Sequence, residues 1–220
     1  MLSFLKRLWQ SGWANRATLI GVVLVSAVAT ASVVYAILTR AGDDGFKKVE
    51  GDVYLHWDRS NLPLPCTHDE TVTEEHLRAY NDARAEIAKK VGKSLLLPCI
   101  SWQIADEMPE YIDGSVVLRV LPVVDWGDAR VTESPWDPHP GGRTSLRYDK
   151  RTGEILAGRI LIDLGVRKDQ LGLVWLHEVG HILGLGHDRR QDSVMFKSTA
   201  GRSRGLSRTD AAHLADEYIK

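Results

Sequence analysis

The hydrophobic pattern divides the chain into one long uniform run and a remainder in which short periods alternate. Residues 17–39 (ATLIGVVLVSAVATASVVYAILT) contain no Asp, Glu, Lys or Arg. As a helix rising 1.5 Å per residue this run is roughly 34 Å long, enough to cross a hydrocarbon core of about 30 Å. It is predicted to be a transmembrane signal anchor, with residues 1–16 in the cytoplasm, residues 40–50 as a polar linker and residues 51–220 as one folded domain. Lys6, Arg7 and Arg16 before the run are balanced by Arg40, Lys47 and Lys48 after it. Orientation therefore rests on the first helix acting as an anchor, not on charge alone. The alternative is a secretory signal peptide cleaved near Ala29-Thr30-Ala31, although such peptides have a shorter apolar region of about 7–15 residues. Either reading puts the domain on the extracytoplasmic side, as a single-pass membrane protein or a secreted one.

Beyond the linker the periods shorten. Val53-Tyr54-Leu55-His56-Trp57 alternates like a strand, closed by Pro63 and Pro65. Thr71 with Glu74 reads as a capping box, and Leu77, Tyr80, Ala83, Ile87 and Val91 recur at helical spacing before Gly92 ends the helix. Strands are expected around 101–104, 116–121, 145–148 and 155–162, the last two joined by a turn at 149–153. Residues 122–145, rich in Pro with Gly141-Gly142, read as an irregular loop. A second helix is expected over about 170–183 with Asp169 as its N-cap, and a third begins at Ser207 with Asp210 at its third position. The whole predicts a mixed α/β (α+β) domain.

Composition narrows the function classes. Hydrophobic residues make up 44% and charged residues 26%, so the domain can bury a core. The net charge of −1 with no block of like charge gives no footprint for nucleic acid. The two cysteines, Cys66 and Cys99, fit no zinc ribbon or CxxC motif. Outside the cytoplasm they are candidates for one disulfide.

Candidate chemistry is concentrated in residues 177–188, His-Glu-Val-Gly-His-Ile-Leu-Gly-Leu-Gly-His-Asp. On a helix, His177 and His181 project from one face a turn apart and can hold one metal ion, with Glu178 beside them for proton transfer. His187 lies six positions past His181, so it can join them only if the chain turns, and Gly184 stands where a turn with positive φ is cheapest. Three neutral imidazoles would leave a zinc ion open to water, as in catalytic rather than structural sites. One thiol plugging that site is a second possibility for the cysteines. Asp188 is a candidate for orienting a ligand or a neighbouring backbone group, with simple turn termination as the other reading.

HExxHxxGxxH over His177, Glu178, His181, Gly184 and His187, followed by Asp192-Ser193-Val194-Met195, resembles the metzincin metallopeptidases, whose methionine turn supports the zinc from below. Leu206-Ser207-Arg208-Thr209-Asp210 resembles the start of the last matrixin helix, and residues 153–160 resemble the edge strand that binds substrate by strand addition. The resemblance implies a twisted mixed sheet, a long zinc-binding helix, a Met-turn at Met195 and a C-terminal helix. It further implies one catalytic Zn2+ on His177, His181 and His187, Glu178 as general base, and protein or peptide substrates. Asp188 stands where many matrixins have serine, no Pro-Arg-Cys-Gly latency motif is present, and no structural zinc or calcium site is carried over. The expected activity is that of a membrane-anchored zinc endopeptidase. The alternatives are a catalytically silent zinc-containing binding module and a thermolysin-like peptidase with a distant Glu ligand, which leaves Gly184, His187 and Met195 without a role.

Overall fold

Leu64–His68 forms the first strand, β1, where the alternation predicts only a proline-closed boundary. Pro65 is tolerated because the ladder slips there: the register with the neighbouring strand shifts between Leu64 and Cys66, and a bulge is one of the few strand positions that needs no N–H. Of the predicted strand at Val53–Trp57, the described residues form bridges and no regular strand, His56 pairing with Glu154. Its alternation is still meaningful, since Leu55 and Trp57 are both 1% exposed and anchor the segment without a ladder.

The computed structural model describes residues 54–103, 107–122, 141–196 and 205–219, within a unit spanning Gly45–Lys220. The predicted anchor at 17–39, the segments on either side of it and most of the loop at 122–145 lie outside the described residues. Among the described residues no helix is long and apolar enough to cross a membrane.

After β1 come helix α1 (Glu74–Val91), strands β2 (Leu96–Ser101), β3 (Val116–Leu121), β4 (Gly142–Tyr148) and β5 (Ile155–Asp163), and helices α2 (Lys168–Ile182) and α3 (Arg208–Tyr218). The sheet order is β2-β1-β3-β5-β4. β4 alone runs antiparallel, pairing Gly142 with Ile162 and Thr144 with Ile160 on β5. The sequence places a strand around 101–104. The observed β2 begins five residues earlier and pairs Cys99 with Cys66 on β1, where the two cysteines form the disulfide.

Two predicted helix starts also move. α1 begins at Glu74 with Thr73, not Thr71, at the N-cap and without a side-chain capping bond. The Thr71 hydroxyl instead accepts from the Val120 N–H at 3.0 Å, fastening the helix entrance to β3. α2 begins after Arg167, so Asp169 sits inside the first turn rather than at the cap. It pairs with the Arg167 guanidinium there, Nε to Oδ1 at 3.0 Å, and its negative charge suits a helix start.

Val116, Leu118 and Val120 of β3 share one core cluster with Ile160 and Ile162 of β5, Tyr80 and Ile87 of α1, and Val174, Trp175 and Val179 of α2. Every second residue of the strands thus faces the helices. Trp175 is fully buried, with the Tyr80 ring edge-on to it at 5.8 Å.

The C-terminal end of α2 is held by side chains remote in sequence. Trp57 Nε1 donates to the Ile182 carbonyl at 2.7 Å, and the Tyr218 hydroxyl donates to the Leu183 carbonyl at 3.0 Å. Helix ends leave their last carbonyls without intrahelical partners, so these buried bonds connect α2 to both ends of the described chain. Tyr218→Phe strands the Leu183 carbonyl in the core and is expected to destabilise the domain by about 1–3 kcal/mol, seen as a lower urea midpoint with unchanged slope.

Candidate metal centre and active site

The last turn of α2 sets the geometry. The Leu185 N–H returns to the Gly180 carbonyl and the Gly184 N–H to the His181 carbonyl, both at 3.0 Å. This pair of bonds is a Schellman closure, which needs a left-handed residue just past the helix. Gly184 supplies it with φ of 91°. The reversal carries the chain back across α2 and brings His187 against the other two histidines, its ring centroid 5.3 Å from His177 and 4.8 Å from His181. Ligand nitrogens of His177, His181 and His187 lie within 4.8 Å of one another.

Main-chain carbonyls fix the ring orientations. His177 Nδ1 lies 2.7 Å from the Val194 carbonyl, and His181 Nδ1 lies 2.7 Å from the Leu185 carbonyl. A carbonyl only accepts, so each Nδ1 donates and each neutral ring keeps its lone pair on Nε2. The two Nε2 atoms face each other at 3.1 Å. Two lone pairs so placed repel unless a cation sits between them. Tetrahedral zinc with Zn–N bonds of about 2.0–2.1 Å puts its nitrogens roughly 3.3 Å apart, so the His177–His181 pair fits zinc in both spacing and chemistry, and His187 lies close enough to join it. Burial holds the His177 imidazole below its ordinary pKa, opposed by the Val194 bond and the charge of Asp210, and so favours the neutral form a metal needs. His177 is buried, His181 half-buried and His187 exposed, which leaves the centre open on the His187 side.

Met195 is 1% exposed and packs against α2 at Gly180. Gly180, between the two helical histidines, has no Cβ, and one there would collide with Met195 Sδ and come within 3.2 Å of its Cε. The turn carrying Met195 is held from below. The Met195 N–H donates to Ser193 Oγ at 2.9 Å, and Ser193 Oγ donates to the Asp210 carboxylate at 3.0 Å. Asp210 also accepts from the Ser207 N–H at 3.1 Å while its own N–H donates to Ser207 Oγ, completing the capping box of α3. Sequence reading sees only the cap. The buried bond to Ser193 depends on a contact between distant elements.

Asp188 commits its carboxylate to Arg190. Its Oδ1 accepts from the Arg190 N–H and its Oδ2 from Arg190 Nε, both at 2.8 Å. Its own N–H donates to the Met195 carbonyl at 2.8 Å. Arg190 Nη1 reaches Thr209 Oγ1 at 2.8 Å, so this carboxylate organises the loop between His187 and α3. Cys66 and Cys99, bonded to each other between β1 and β2, offer no thiol to the centre.

Glu178 is 4% exposed, and burial pushes its carboxyl up to about 7 against the downward pull of hydrogen bonds from Thr144. Thr144 Oγ1 lies 2.7 Å from Glu178 Oε2. Gly142 faces the same side chain, since a Cβ there would lie 2.6 Å from Glu178 Cγ. Both residues belong to β4, and neither stands out in the sequence, where Gly141-Gly142 reads as part of a loop. The substrate-binding edge strand was expected at 153–160. That segment is mostly β5, which is paired on both sides, to β3 and to β4. Among the described residues the edge on this side of the sheet is β4.

The family model for matrixin peptidases matches residues 90–219, more than half of the chain. No curated protein matches the chain.

Two glycines of α2 give opposite expectations. Gly180→Ala drives a methyl group into Met195 and is expected to cost about 1–3 kcal/mol, with weaker zinc binding in competition with a chromophoric chelator. Gly172→Ala meets nothing within 4 Å and is expected to stabilise the helix by roughly 0.5–1 kcal/mol, with zinc affinity unchanged.

Proposed function

Because this chain belongs to the matrixin family of zinc metalloendopeptidases, we propose that it cleaves peptide bonds in extracytoplasmic proteins or peptides, with zinc on His177, His181 and His187 and Glu178 as general base. The observation that carries the reading is the convergence of two Nε2 lone pairs at 3.1 Å, with His187 beside them and a buried carboxylate one residue away on the same helix. Zinc in such a site polarises the scissile carbonyl and brings the pKa of a water molecule towards neutrality.

The chain's own groups supply the rest. Glu178 takes a proton from the attacking water and returns it to the leaving amine, a role that suits a carboxyl whose pKa lies near 7. The imidazoles stay in one tautomer because their Nδ1–H groups are committed to Val194 and Leu185. β4, as the terminal strand, offers main-chain groups to an extended substrate by strand addition. The bonded cysteines favour an oxidising compartment. Together with the apolar run at 17–39, they support an enzyme anchored through an N-terminal helix with its catalytic domain outside the cytoplasm.

Glu178→Gln is expected to lower cleavage of a fluorogenic peptide library by at least about 100-fold while retaining one zinc per chain by metal analysis. His187→Ala is expected to lose the zinc. Full zinc with no turnover in the unaltered chain would instead mark a silent binding module. Alkaline extraction of membranes, with sequencing of the mature N-terminus, tests the anchor: a soluble product starting near residue 32 would replace it with a cleaved signal peptide.

A further inference from the structure

We propose that Thr144, on strand β4, is the positioning residue that fixes the Glu178 carboxylate for proton transfer, with Gly142 forming the other wall of the socket. The inference rests on the reading of Glu178 as the base. A glutamate reaches its target through three rotatable bonds, so its placement needs an external constraint. Thr144 Oγ1 lies between two acceptors of that one residue, Oε2 at 2.7 Å and the main-chain carbonyl at 3.0 Å. The hydroxyl's single hydrogen is shared between them, with the shorter contact to the carboxylate.

Thr144 and Gly142 are two residues apart on a strand, so their Cβ positions point to the same face. The missing Cβ of Gly142 admits the Glu178 stem, and a methyl group there would also come within 2.8 Å of Oε1. With Oε2 engaged, Oε1 is the oxygen left to take and return the proton. With the proton on Oε1, Oε2 remains an acceptor, so Thr144 can go on donating to it whether or not the carboxyl carries a proton. β4 is itself held in register, Gly142 against Ile162 and Thr144 against Ile160. The strand whose outer edge is proposed to align the substrate thus also aligns the base, and both share one rigid reference.

The test compares Thr144→Val, Thr144→Ala, Thr144→Ser and Glu178→Gln in the full chain, using the best-cleaved peptide of a fluorogenic library, zinc content and thermal melting. Loss of the hydroxyl in the Val and Ala variants is expected to lower kcat by roughly 10- to 100-fold. KM, zinc stoichiometry and the melting temperature should stay near their original values, and Thr144→Ser should recover most of kcat. Unchanged kcat in both hydroxyl-free variants, with Glu178→Gln inactive, would overturn the positioning role alone. Parallel loss of zinc or melting temperature, not recovered by Ser, would overturn it in favour of a purely structural role. Full activity in Glu178→Gln would overturn the general-base reading and this inference with it.

Discussion

His177 and His181 each spend one ring nitrogen on a main-chain carbonyl, and those two bonds decide what the rest of the structure must provide. With Nδ1 committed at 2.7 Å on both rings, the Nε2 atoms can only converge, and convergence is unfavourable without a cation between them. Neither carbonyl belongs to a regular helix bond. The Leu185 carbonyl is delivered by the chain reversal at Gly184, and the Val194 carbonyl by the turn that carries Met195. The ring orientations are therefore as good as two irregular segments, and most of the supporting architecture immobilises those segments.

The support is layered. Gly180 lets Met195 approach α2 closely, Ser193 fixes the backbone of that turn, and Asp210 fixes Ser193 while capping α3. Arg190 adds a more exposed link between Asp188 and Thr209. At the same C-terminal end of α2, Trp57 and Tyr218 take the terminal carbonyls. Across the helix, β4 meets Glu178 through Thr144 and Gly142. An 18-residue helix, α1, and the buried faces of β3 and β5 hold α2 against the sheet without touching the chemistry.

How much of this was legible in the sequence follows from how local each cause is. The HExxHxxGxxH spacing, the glycine turn and the Ser207–Asp210 cap depend on residues within a few positions of each other, and the residues carry them openly. β3 and β5 were legible because β-branched runs flanked by turn signals admit few other readings. β1 was hidden by Pro65, whose missing N–H is excused only by a register shift that depends on β2. The edge strand was misassigned because a resemblance over 153–160 cannot report which strand lacks a neighbour, and that depends on the pairing of β4 with β5. Thr71 was read as a cap when its hydroxyl serves Val120, and Asp169 likewise lies one step inside its helix. Thr144, Gly142 and the second role of Asp210 were invisible for one reason: each matters through a contact between elements far apart in the chain, and nothing in the neighbouring residues signals it.

The bond between Ser193 and Asp210 has a consequence for the order in which the molecule matures. During synthesis His177, Glu178 and His181 emerge well before Ser207 and Asp210. Until α3 arrives, the turn holding the Val194 carbonyl lacks its lower support, and Tyr218 has not yet closed the end of α2. A nascent chain thus carries its reactive groups before it carries the scaffold that aims them. The support beneath the Val194 carbonyl is therefore complete only once the final helix is in place.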